Sequence, residues 1–113
     1  MAQWNIVITR GATYQQSITV TGVADIATAT EWTVRIAFPN QAPFCTATIT
    51  NGLITATGNA NTKWLTLPAA STALYPLGNC RFDFEVTWAG GVVRRYVANS
   101  LAQVVVKAGE VQV

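Results

Sequence analysis

The chain contains no histidine. That absence removes Ser-His-Asp and Cys-His nucleophile pairs and most zinc sites, because those chemistries depend on an imidazole. Charge is scarce as well: 11% of the 113 residues are charged, seven basic against five acidic, for a net charge of +2. Arg10, Arg35, Lys63, Arg81, Arg94, Arg95 and Lys107 are scattered along the chain. Phosphate-driven binding needs a denser basic footprint, so nucleic acid is not an expected partner. Half the residues are hydrophobic, yet no stretch holds 18 consecutive apolar ones. A membrane-spanning helix is therefore excluded, and no membrane partner is expected. The opening "MAQWNIVITRG" has no basic region leading into a long apolar run, so a cleaved signal peptide is not expected.

Cysteine is limited to Cys45 and Cys80. Without a signal peptide, the expectation is two buried reduced thiols. Two distant cysteines without histidine make a poor metal set, and the glycines stand singly apart from Gly90-Gly91. No phosphate-cradling turn results, so no cofactor, no metal and no enzymatic activity are expected. The carboxylates Asp83 and Glu85 flank Arg81 on one strand face. A glycosidase pair would face across a cleft with one member desolvated, so this trio reads as a solvated salt-bridge row. Arg94-Arg95 is the single basic doublet, and on a strand its side chains point to opposite faces.

What the chain does have is period-two alternation. In "TEWTVRIAF" Trp32, Val34, Ile36 and Phe38 share one face; in "CRFDFEVTW" Cys80, Phe82, Phe84, Val86 and Trp88 do the same. These are half-buried strands of an antiparallel sheet. Turn signals recur at short intervals and divide the chain into about eight strands. They lie near 3–8, 13–20, 31–38, 45–50, 53–57, 63–67, 80–88 and 92–98, with a last one near 102–107. The sequence thus predicts an all-β sandwich, one domain spanning residues 1–113, long enough to bury roughly 65% of its unfolded surface. Asn51-Gly52 predicts a tight hairpin. Ala89-Gly90-Gly91 predicts a second hairpin in one of two registers. A two-residue loop sets Phe84 opposite Val97; a three-residue loop sets Phe84 opposite Tyr96 and Glu85 opposite Arg95, which pairs opposite charges. The one helical candidate, "AASTALY" between Pro68 and Pro76, reads as a crossover between sheets.

A surface this poor in charge must be Thr, Asn, Gln, Ala and Gly, which suits a protein packed against neighbours or, equally, a secreted or robust small domain with a bland surface. Trp32 and Trp88 fall on apolar strand faces and are core candidates. Trp4 and Trp64 are the candidates for contact, Trp64 because it stands opposite the Leu65/Leu67 face. Edge strands near 3–8 or 102–107 could pair with a neighbouring molecule. The alternating tail "KAGEVQV" adds Glu110, Val111 and Val113 as interface candidates.

Several segments, in order, resemble small structural proteins of tailed bacteriophages, including the N-terminal domain of baseplate upper proteins. They are "ITRGATY" (with Ala12 where an Asp is common), "ATEWTVRIAF", Leu65-Thr66-Leu67, Thr72-Ala73-Leu74, Pro76-Leu77-Gly78, "FDFEV" and "GGVVRRYV". The resemblance implies an immunoglobulin-like antiparallel sandwich with one short helical crossover. It further implies a non-enzymatic virion component, assembled in the bacterial host cytoplasm and used in multiple copies or as a homo-oligomer. Its implied partners are other virion proteins, either the major capsid protein (as a decoration or cement protein) or tail and baseplate proteins (as an adaptor). The rival expectation is a carbohydrate- or receptor-binding module that uses exposed tryptophans.

Overall fold

The computed structural model describes the backbone of residues 6–105, with side chains through residue 97 and at Ala102. Its strands are β1 (Ile6–Thr9), β2 (Tyr14–Thr19), β3 (Glu31–Ala37), β4 (Cys45–Thr48), β5 (Ile54–Ala56), β6 (Thr62–Leu67), β7 (Gly78–Trp88) and β8 (Val92–Val105). They form a five-stranded sheet of order β1-β8-β7-β3-β4 and a three-stranded sheet of order β2-β6-β5. This is the all-β sandwich that the alternation predicts. The short helix α1 (Ala69–Thr72) leads from β6 in one sheet to β7 in the other, as the crossover reading requires. Pro68 sits at its N-cap with extended backbone. Proline tolerates that position because the first helical turn has no partner for its N–H.

The alternating strands bury the faces expected of them. Trp32, Val34 and Ile36 of β3 and Cys80, Phe82, Phe84, Val86 and Trp88 of β7 all lie in the core. Leu65 and Leu67 of β6, Ile18 of β2 and Ile54 of β5 meet them from the three-stranded sheet. Each such aliphatic or aromatic side chain contributes about 1.5–3 kcal/mol by leaving water. Trp32 packs against Phe84 with ring centroids 5.4 Å apart, and the Lys63 ammonium lies over the Trp32 ring at 5.3 Å.

Several expectations are corrected. The sheet is not wholly antiparallel: β1 pairs with β8 in parallel, Ile6 opposite Ala102 through Thr9 opposite Val105. The chain leaves β1 for the other sheet instead of turning back on itself, which permits the parallel partner. The strands expected near 92–98 and 102–107 are a single strand, β8. Its last residues lie between β7 and β1, so 102–105 is not a free edge; the edges are β1, β4, β2 and β5. Both registers of the second hairpin occur, one after the other. Glu85 pairs with Arg95 as a three-residue loop demands, but Phe84 pairs with Val97 because Tyr96 is an extra residue on β8. A second irregularity lies between Phe84–Val97 and Phe82–Ser100. Such bulges bend a strand, and here they occur in the strand that serves two neighbours.

Asn51-Gly52 does not close a hairpin. β4 and β5 belong to different sheets, and the segment is an arch between them. Gly52 has φ 83°, but the asparagine acts through its side chain. Its Oδ1 accepts from the N–H groups of Thr48 (3.0 Å) and Leu53 (3.1 Å), and its Nδ2 donates to the Thr46 carbonyl (2.7 Å). The dipeptide signal is one of turn chemistry, which an arch uses as well as a hairpin.

Cys45 and Cys80 are buried and free. Cys45 pairs with Ile36 and Ile36 with Phe82, so the two thiols stand two strands apart. That is roughly 9.5 Å across the sheet, beyond the reach of a disulfide.

Thr72 is fully buried and ties α1 to the turn after β1. Its hydroxyl donates toward the carbonyls of Ala12 (2.8 Å) and Ala69 (3.2 Å) and accepts from the Gly11 N–H (3.0 Å). Thr72→Val keeps the shape and removes the oxygen, taking one partner from the part-buried Gly11 N–H and the Ala12 and Ala69 carbonyls. It should cost about 0.5–1.5 kcal/mol, read as a lower urea midpoint with an unchanged slope.

Candidate docking face

The outer face of the three-stranded sheet is built from the alternate residues of its strands. Leu65 and Leu67 turn inward, so Trp64 turns outward and is 40% exposed. It stands opposite Ser17 of β2 on one side and Thr55 of β5 on the other. Gln15 and Thr19 extend the face along β2, and Thr62 and Thr66 extend it along β6. Gln15 Nε2 donates to Thr66 Oγ1 at 3.2 Å, and the Thr19 and Thr62 hydroxyls are 3.1 Å apart. These seven residues are uncharged. The face is an indole centred among hydroxyls and amides, matched to a partner by area and hydrogen bonding.

The predicted contact residues are only partly brought together. Trp64 is exposed as expected; Trp4, Glu110, Val111 and Val113 lie outside the described residues. The surrounding Gln, Ser and Thr residues were not singled out by sequence reasoning. Alternation within "YQQSIT" and "TKWLTL" assigns them a face, but only the pairing of β2 with β6 gathers them around Trp64.

The outer face of the five-stranded sheet is different, because it carries charge. Glu85 is only 9% exposed, so the solvated row expected of Arg81, Asp83 and Glu85 is corrected. The partners of Glu85 come from adjacent strands: Arg35 Nη1 at 2.7 Å from one carboxylate oxygen and Arg95 Nη2 at 3.4 Å from the other. Arg94 points the other way, 3.9 Å from Asp25 and over the Trp88 ring. The doublet does divide between faces. Glu31 holds backbone in place. Its carboxylate accepts from the N–H groups of Ile49 (2.6 Å), Trp32 (3.2 Å) and Thr50 (3.4 Å). Burial pushes its pKa up, but those bonds and the Thr50 hydroxyl outweigh it, and the net shift is downward.

Among the described residues, no group of three or more His, Cys, Asp or Glu side chains is placed to hold a metal ion. Burial pushes both thiols above the ordinary cysteine range, which makes them poor nucleophiles. No protein-family model and no curated protein matches the chain.

The Arg35 hydrogen bond holds the Glu85 carboxyl below its ordinary value of 4.5, against the effect of burial and with help from Arg95. A folded-state pKa that is depressed gives stability present above the unfolded pKa and lost as pH falls through the folded one. Glu85→Gln should therefore cost about 1–2 kcal/mol at pH 7, discounted because both arginines are partly exposed. The cost should shrink as pH is lowered below 4.5, measured by urea unfolding at a series of pH values.

Proposed function

We propose that this chain is a non-enzymatic structural module of a tailed-bacteriophage particle. It is present in many copies and docks on other virion proteins, as a capsid decoration protein or as an adaptor in the tail or baseplate. The observation that carries this reading is the uncharged face around Trp64. Such a face offers contact area and a tryptophan anchor, the ingredients of a specific protein interface. Many copies on a symmetric assembly would then add through avidity.

Strand order supports the immunoglobulin-like part of the proposal. Taken as strands A′, B, C, C′, D, E, F and G, the eight form sheets A′GFCC′ and BED. Trp32 then occupies the buried tryptophan position of strand C, although no disulfide accompanies it. The ordered sequence resemblance to phage structural proteins supports the assignment to a virion.

A second reading, a carbohydrate- or receptor-binding module, is favoured by the hydroxyl groups of Ser17 and Thr55 directly beside Trp64. An aromatic ring flanked by hydroxyls also suits a sugar.

Quantitative mass spectrometry of purified phage particles that encode this chain tests the proposal. The chain should be present in many copies, and Trp64→Ala should lower its occupancy about tenfold while leaving the fold intact. Absence from the particle would overturn the structural reading. Saturable binding on a glycan array, lost in Trp64→Ala, would establish the second.

A further inference from the structure

On the outer face of the five-stranded sheet, away from Trp64, a cleft of about 320 Å³ lies beside the segment that follows β3. Its floor carries three guanidinium groups, Arg35 from β3, Arg81 from β7 and Arg95 from β8, together with the Asp83 carboxylate. The segment after β3 completes the lining and brings two amides, Asn40 and Gln41, alongside Pro39 and Pro43. Asn40 holds the left-handed backbone conformation, φ 62°, one that asparagine tolerates better than most residues.

The charges in this cleft are arranged unequally. Glu85, buried beneath it, engages Arg35 at 2.7 Å and Arg95 at 3.4 Å, and so fixes two of the guanidiniums in place. With three arginines against Asp83 and Glu85, the net charge is 3 − 2 = +1, in favour of an anion. A bare inorganic anion would not use the rest of the cleft. Guanidinium groups bind carboxylates through two parallel hydrogen bonds. Amides both donate to and accept from hydroxyls, and proline rings pack on the apolar face of a sugar ring. The volume is at the lower end of the range for small-molecule sites.

We propose that this cleft binds an acidic sugar, a hexuronate-type ring. Arg81 takes its carboxylate, Asn40 and Gln41 take its hydroxyls, and Pro39 and Pro43 take its ring. The inference is independent of the particle assignment and of the Trp64 face.

The test is calorimetric and NMR titration of the full chain with glucuronate, glucose and N-acetylaspartate amide. Saturable glucuronate binding is expected, with little or none for glucose. Arg81→Ala and Arg81→Lys should each weaken it about tenfold or more, the lysine because it keeps the charge and loses the paired geometry. Arg94→Ala, on the opposite face, and Trp64→Ala should bind as the unaltered chain does. No glucuronate binding, or binding unchanged by Arg81→Ala in a folded protein, overturns the proposal. Equal binding of N-acetylaspartate amide also overturns it, because the cleft would then recognise a carboxylate without its ring. None of these outcomes bears on whether the chain is found in the particle.

Discussion

Each time the chain passes from one sheet to the other, it leaves backbone groups that neither ladder can pair, and this constraint governs the molecule. There are four such passages: β1 to β2, β2 to β3, β4 to β5 and β6 to β7. A buried unpaired N–H or C=O costs about as much as a lost hydrogen bond, so each passage needs a partner from elsewhere in the chain. Thr72 supplies one for the first passage and, within its own helix, for the last. Glu31 and Asn51 serve the third. At the second, Trp88 Nε1 donates to the Asp25 carbonyl at 2.9 Å, and the Thr30 N–H donates to the Thr87 carbonyl at 2.8 Å. Of these groups Thr72 is fully buried, while Glu31 is half-buried and Asn51 exposed.

The outer faces differ in how they use the remaining polar groups. One carries the ion pairs of Arg35 and Arg95 with a single buried carboxylate, Glu85. The other is neutral and centred on an indole. The neutral face carries no charged side chain among its seven residues. Recognition there must rest on shape and on short-range hydrogen bonds, whereas the arginine-lined cleft retains an excess of positive charge.

Most of the fold could be read from the residues because alternation is a local property. Trp32-Val34-Ile36 and Phe82-Phe84-Val86 announce their inward faces without knowledge of their partners. What could not be read was the identity of those partners. Asn51-Gly52 signals a sharp turn in a hairpin or an arch alike, since the difference lies in where β4 and β5 go afterward. The role of Glu85 was half legible: one register of the second hairpin already set it opposite Arg95, but Arg35 reaches it from β3, which only the sheet pairing shows. At the candidate face, Trp64 was legible from its position beside Leu65 and Leu67. Its surroundings were not, because they arrive from strands distant in sequence.

The parallel pairing of β1 with the last stretch of β8 carries a consequence for how the chain reaches this state. The first described strand finds its hydrogen-bonding neighbour only when β8, the last described strand, has been made. Until then the apolar side chains of Ile6 and Ile8 lack part of the environment that buries them. The three-stranded sheet has all its strands by Leu67, whereas the five-stranded sheet must wait for β7 and β8. Non-local closure of this kind places a protein among the slower two-state folders, in the millisecond-to-second range. During synthesis, the early strands must wait with apolar edges uncovered, and in that interval the protein is most exposed to association with its own unfinished copies.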